Sequence, residues 1–216
     1  MESPHDAKKP SIGVAENGPY LVNGMQTLKN SRGETIPTKP VMALCRCGGS
    51  AKKPFCDGTH ARIGFSGRRL AERSTNERVD YRGKRITIHD NRAVCAHAGY
   101  CTDSLSAAFN SGAEPWIDPD GADVEKIIET IRECPSGALS YSIDGIEHRD
   151  QDREPMISVS RDGPYVVVGG PELQDEEHSR PESAEHYTLC RCGGSRNKPF
   201  CDGTHWHVNF RDEKNY

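Results

Sequence analysis

Cys45, Cys47, Cys56 and His60 stand at the spacing C-x-C-x8-C-x3-H, and the same frame returns 145 positions later as Cys190, Cys192, Cys201 and His205. Three thiolates and one imidazole complete a four-ligand shell for a metal, and two shells at identical spacing are not an accident of composition. Cys95, Cys101 and Cys134 form a third set, so all 9 cysteines fall into triplets. Disulfides cannot satisfy triplets, and a C-x-C pair would have to close a very small ring to form one. Reduced cysteines used as ligands imply a cytoplasmic compartment.

Within each outer frame, a one-residue gap lets two thiolates grip one metal atom. Cys56 and His60, four apart across a helical turn begun at Asp57, can present sulfur and imidazole together to a second. Asp57 and Asp202 read as caps whose carboxylates bind loop amides, Gly58 and Gly203 as points of close backbone approach, and Pro54 and Pro199 as stiffeners. Ser50 and Ser195 are expected to bond a sulfur or a backbone amide. Zinc is the alternative metal, although structural zinc pairs more often use C-x2–4-C than C-x-C.

The elements that position these ligands are themselves duplicated. Gly18-Pro19-Tyr20-Leu21-Val22 matches Gly163-Pro164-Tyr165-Val166-Val167, and Phe65 matches Phe210, at the same offset with no net insertion. In each copy, short apolar runs around the Gly-Pro-Tyr turn (12–22, 157–168) and before the ligands (41–44, 187–189) read as strands, with the ligands in Gly- and Pro-punctuated loops. The acidic segment 172–178 and the more basic 29–39 read as solvated loops. The middle segment predicts a strand pair at 79–81 and 86–88, a short helix over 103–109 capped by Thr102 or Asp103, and a returning strand over 139–146. Val124, Ile127, Ile128 and Ile131 form the stripe of an amphipathic helix over 123–132, which delivers Cys134-Pro135. The division expected is 1–74, 75–150 and 151–216.

At 216 residues and 34% hydrophobic content, several small metal-stapled units suit the chain better than one large core. A formal charge of -4 gives no global drive toward nucleic acid. The first ten residues lack the apolar core of a targeting peptide, and no apolar run reaches membrane-spanning length. A basic stretch (Arg68, Arg69, Arg73, Arg78, Arg82, Lys84, Arg85) reads as a linker and strand face, or as a dock for an acidic redox partner. No G-x-G-x-x-G follows a strand and no nucleophile set stands apart from the metal ligands, so the chain is not expected to be an enzyme.

The pattern C-x-C-x2-S-x3-P-x-C-D-G-T-H at 45–60 and 190–205 resembles the CDGSH iron-sulfur family, the mitoNEET-like proteins. The resemblance implies a 2Fe-2S cluster on Cys45, Cys47, Cys56 and His60, and a second on Cys190, Cys192, Cys201 and His205. It also implies an α+β fold in which two β-rich CDGSH units pack as an intramolecular pseudo-dimer, so that the protein is monomeric. Cys95-Ala96-His97-Ala98-Gly99-Tyr100-Cys101 with Cys134-Pro135 resembles a divergent mono-cluster ferredoxin-like domain, in which the second of four expected cysteines is Ala98. The missing thiolate favours a 3Fe-4S cluster held by Cys95, Cys101 and Cys134 alone. Ligation by His97 would keep 4Fe-4S, and a merely packed His97 is the plainer reading.

Replacing a thiolate by neutral imidazole raises a cluster's reduction potential, and an imidazole can be protonated off its metal. The function expected is one-electron transfer among three clusters, with a reductase or ferredoxin as partner and neither nucleic acid nor membrane. The alternative is a cluster carrier or redox and pH sensor that donates 2Fe-2S clusters to apo iron-sulfur acceptors.

Overall fold

The computed structural model describes residues 9–70, 78–177 and 179–213. Residues 1–8, Arg73, the expected boundary at 74–75 and His178 lie outside the described residues.

The first copy contributes β1 (Ser11–Val14), β2 (Tyr20–Asn23), β3 (Leu28–Lys29), β4 (Val41–Leu44) and the one-turn α1 (Thr59–Arg62). The middle segment adds β5 (Arg78–Arg82), β6 (Thr87–Asn91), α2 (Tyr100–Ser104), α3 (Val124–Arg132), β7 (Leu139–Ile143) and β8 (Ile146–His148). The second copy repeats the first as β9 (Met156–Val159), β10 (Tyr165–Val168), β11 (Glu172–Gln174), β12 (Tyr187–Leu189) and α4 (Thr204–His207).

Three four-stranded sheets result, ordered β11-β1-β2-β4, β12-β10-β9-β3 and β5-β6-β7-β8. Each outer sheet takes its edge strand from the other copy. Ile12 pairs in parallel with Leu173, and Ile157 with Leu28, so the exchange is reciprocal at equivalent positions of the duplication. This corrects the reading of 172–178 as a solvated loop at its start, where Glu172–Gln174 form β11 and Leu173 packs against the core, while 29–39 is mostly exposed loop and only Lys29 of it joins the buried Leu28 in β3. The exchange gives the two copies one shared core, in which Tyr20, Val22 and Leu44 pack with Tyr165, Val167 and Leu189. That solves the problem posed by low hydrophobic content: two copies, each too small to bury much, pool their apolar faces.

The middle segment has its own core of Ile86, Ile88, Phe109, Ile117, Ile127 and Leu139 among others. Helix α3 buries Val124, Ile127 and Ile131 of the predicted stripe, with its fourth member Ile128 partly buried against the same core, and delivers Cys134 at its end. The shorter helix lies elsewhere than expected. It begins at Tyr100, behind a left-handed Gly99 (φ 85°), and ends at Ser104. Cys101 is therefore in its first turn, while Leu105 to Phe109 form a turn that inserts Phe109 into the core.

Candidate metal centres

In the first copy, Cys45 Sγ and Cys47 Sγ lie 3.8 Å apart, and Cys56 Sγ faces His60 Nδ1 at 3.3 Å. The second copy repeats both pairs, with 3.8 Å between Cys190 and Cys192 sulfurs and 3.4 Å from Cys201 Sγ to His205 Nδ1. Loop amides aim at the sulfurs, Gly49 N–H at Cys47 and Gly58 N–H at Cys56, each at 3.4 Å. All 9 cysteines are free.

The loops are built from their own side chains. Asp57 accepts from Thr59 N and Ala51 N at 3.0 and 2.9 Å, and Asp202 from Thr204 N and Arg196 N at 3.1 and 2.8 Å. These hydrogen bonds, Thr59 foremost, hold the Asp57 carboxyl well below its ordinary range. Ser50 and Ser195 each donate to a Phe carbonyl, of Phe55 and Phe200, and accept an amide from Lys52 or Asn197, so they bind backbone and not sulfur.

Two residue pairs that spacing alone did not single out complete the sites. The arginine inside each C-x-C is buried. Arg46 donates to the carbonyls of Gly18 and Ala15 and lies over the Tyr20 and Phe65 rings. Arg191 donates to Gly163 and Ser160 and pairs with Asp212. The signal available in the sequence was its exact recurrence in both copies. Each copy's tyrosine reaches across to the other copy's ligand loop: Tyr20 Oη donates to the carbonyls of Cys190 and Pro199, and Tyr165 Oη to those of Cys45 and Pro54, all at 2.9 Å.

The loops also touch one another. A Cβ on Gly48 would lie 2.6 Å from the Cys192 carbonyl oxygen, and one on Gly193 would lie 2.6 Å from that of Cys47.

Despite this symmetry the two sites differ in exposure. Cys190, Cys201 and His205 are buried, whereas Cys56 and His60 are only half-buried. The middle segment makes the difference. The His97 ring lies against Gly203, whose Cβ would be 2.4 Å from His97 Cδ2. Trp206 Nε1 donates to His97 O at 3.1 Å, and Asn197 Nδ2 to Ala93 O at 2.8 Å. Burial, reinforced by His97, lowers the His205 pKa to about 4, leaving a neutral imidazole ready to donate its lone pair. Burial first and then neighbouring charges, among them Cys95 of the middle segment, push the Cys201 thiol well up.

Cys95, Cys101 and Cys134 line a single cavity of about 220 Å³ together with Asp90, Ala98 and Trp116. Burial raises the Cys95 thiol to about 11. Asp90 is 1% exposed and neither carboxylate oxygen has a hydrogen-bond partner. Burial lifts its pKa to about 6 against the pull of Arg92 and Trp116. An orphaned carboxylate beside three thiols is the environment of a group that a cation completes, so the cavity suits a multi-iron cluster.

A family model described as "Iron-binding zinc finger CDGSH type" matches residues 17–61 and again 162–206. A second, "Divergent 4Fe-4S mono-cluster", matches 81–144 between them. A curated relative, "Uncharacterized protein YjdI" of Escherichia coli (strain K12), is 43% identical over 61 residues, covering 28% of this chain and 80% of that protein. Its counterpart in Escherichia coli O157:H7 matches to the same extent. No solved structure matches the chain significantly.

The chain belongs to the CDGSH iron-binding proteins, with a divergent mono-cluster domain between its two CDGSH units.

In this CDGSH protein the donors come as pairs. The sulfurs of each C-x-C form one pair, and a sulfur and an imidazole across the helical turn form the other. Among the described residues no helix is long and apolar enough to cross a membrane. The basic stretch is partly consumed internally, since Arg78 Nη1 donates to both Glu147 carboxylate oxygens at 2.9 Å and Arg69 Nε donates to Lys198 O at 3.0 Å.

Because Tyr165 holds two carbonyls of the first unit's loop, Tyr165→Phe is expected to weaken the CDGSH site it does not belong to. Two buried acceptors lose their donor, at about 1–3 kcal/mol. The check is the rate of iron release to a chelator, with single-site Cys→Ser backgrounds telling the sites apart. Faster loss from the Cys45 site with an unchanged Cys190 site is the expected result.

Proposed function

We propose that this CDGSH protein carries single electrons between protein partners through three clusters, two 2Fe-2S in the CDGSH units and one cubane-type cluster in the middle domain. The carrying observation is that the loops bearing the three candidate ligand sets touch, middle to second and second to first. The His97 loop of the middle site rests on Gly203 of the second CDGSH site, and that site's Gly193 abuts Cys47 of the first. Electron transfer falls steeply with distance, so neighbouring clusters exchange electrons readily. The first site, being the more exposed of the two CDGSH sites, is the port for a reductase, a ferredoxin or another protein acceptor. Within this reading the chain is not an enzyme by itself, needs neither nucleic acid nor membrane, and works as a monomer because the exchanged strands complete both CDGSH sheets intramolecularly. The 4Fe-4S family match supports a four-iron middle cluster over the three-iron one that Ala98 favours.

The exposed first site also favours a second reading, donation of a 2Fe-2S cluster to an apo acceptor. One experiment separates them. Oxidised holo-protein is mixed with an apo-ferredoxin, and reduced holo-protein with an oxidised holo-ferredoxin. Electron transfer predicts bleaching of the acceptor in the second mixture with no iron moved in the first. High-yield iron transfer in the first mixture supports the carrier instead.

Ligand exchange tests the cluster assignment. His60→Cys and His205→Cys each replace a neutral donor by an anionic one, so each variant is expected to lower the potential of its own cluster by on the order of 100 mV. Redox titration followed by EPR reads this directly, and unchanged potentials in both variants remove the assignment.

A further inference from the structure

We propose that Asp90 is the fourth protein ligand of the middle cluster, its carboxylate taking the corner that Ala98 leaves without a thiolate. This rests on the reading of the middle domain as a cluster site, and goes beyond it by assigning a ligand outside the loop where ferredoxin-type spacing puts one.

The first ground is the state of the side chain. Asp90 is 1% exposed, and both of its oxygens are buried without a hydrogen-bond partner. A buried carboxylate is retained only where a cation or a set of donors compensates it. The nearest cation does not. Arg92 Nε stays 3.8 Å from Asp90 Oδ2, while the guanidinium lies 4.3 Å over the Trp116 ring and its Nη1 points at Cys95 Sγ, 3.7 Å away. Arg92 and the Trp116 indole thus offset its charge only in part, and both oxygens keep lone pairs for a cation in the cavity.

The second ground is its place. Asp90 opens into the same cavity as Cys95, Cys101, Cys134 and Ala98. It is held there by a rigid backbone, as β6 lies between β5 and β7 with Asp90 opposite Val79 on one side and Leu139 on the other. Asn91 N donates to Ala138 O at 2.8 Å, tying this strand end to the turn that follows Cys134. A ligand on a central strand is better fixed than one on a loop.

The third ground concerns the competitor. His97 follows Cys95 closely, but its ring is laid on Gly203 of the second CDGSH unit, and its backbone N–H is what serves the middle site, donating to Cys95 Sγ at 3.4 Å. Three thiolates and one carboxylate then complete a cubane in which one iron carries a harder oxygen ligand. That iron is the exchangeable one.

The test uses the full chain, reconstituted anaerobically with ferrous iron and sulfide and held reduced. Wild type is expected to reach about eight irons per chain and Asp90→Ala about seven, with the oxidised variant showing the EPR signal of a three-iron cluster. Asp90→Cys is expected to regain the lost iron with a changed potential. Iron-57 added to the three-iron form of wild type is expected to enter one site whose Mössbauer isomer shift exceeds that of the sulfur-ligated irons. If Asp90→Ala does not fold, that labelling decides alone. The proposal is overturned if Asp90→Ala keeps four irons in the middle site at the wild-type potential, or if the labelled iron has the shift of an all-sulfur site. It is likewise overturned if wild type never rises above about seven irons, which leaves the cluster reading intact. Total iron of about four overturns both together.

Discussion

Arg191→Ala is expected to be among the most destabilising single changes in this protein, even though the side chain touches no cluster donor directly. Arg191 is 1% exposed and Asp212, its partner, 4%. Removing one member of a buried ion pair takes away much of the other's compensation and costs up to about 3–5 kcal/mol. The carbonyls of Gly163 and Ser160 lose their donor as well. For a chain of this size the melting temperature of the holo-protein should fall by roughly 10 °C. The equivalent change in the first unit supplies the contrast. Among the described residues Arg46 has no carboxylate within ion-pair distance, so Arg46→Ala should cost about half as much or less, through lost hydrogen bonds and ring contacts. The check is calorimetry on both variants and on Arg191→Met combined with Asp212→Leu. The double variant should recover much of the loss, because replacing both charges removes the buried carboxylate along with the guanidinium that compensates it. Equal melting temperatures for the two single variants would contradict the account.

The second large effect is expected from Gly48→Ala. Gly48 has φ 76°, and the added methyl would be driven to 2.6 Å from the Cys192 carbonyl oxygen. Backbone cannot swing aside as a long side chain can, so the loops must part, at about 2–4 kcal/mol. The displaced atom belongs to a ligand residue of the other unit. EPR and visible circular dichroism are therefore expected to show both CDGSH signals altered by a change in one loop. Gly58→Ala is the control. Its φ of 85° carries similar backbone strain, but nothing lies within 4 Å of the added Cβ, so only the first site's signal should respond. If Gly48→Ala perturbs a single signal, the loops do not sense each other.

Which features could be read from sequence follows from whether their cause is local. The close donor pairs could, because a C-x-C and a C-x3-H across one helical turn bring their side chains together locally, and both copies keep that spacing. Helix α3 could, because Val124, Ile127 and Ile131 recur at the helical period. The exchanged strands could not. Leu28–Lys29 and Glu172–Gln174 are too short and polar to announce themselves, and they exist only because a strand of the other copy offers a free edge. The helix expected over 103–109 was misplaced since Asp103 looks like a cap. The fold starts it at a left-handed glycine so that Cys101 can enter the cavity. Asp90 was invisible for a related reason. One acid in a strand carries no pattern, and its significance lies in carboxylate oxygens left without a hydrogen-bond partner once the chain has folded.

Covalent fusion does something here that association of equal subunits cannot. A symmetric pair offers two equivalent faces, and whatever masks one can mask the other. In a single chain the connection between the copies can fold into a body that leans on one copy alone, as the His97 loop leans on Gly203. The duplicated object thereby acquires a head and a tail: one end partly covered by a neighbour in the same chain, the other more exposed. Duplication supplied two like sites, and the insertion between them gave the molecule polarity.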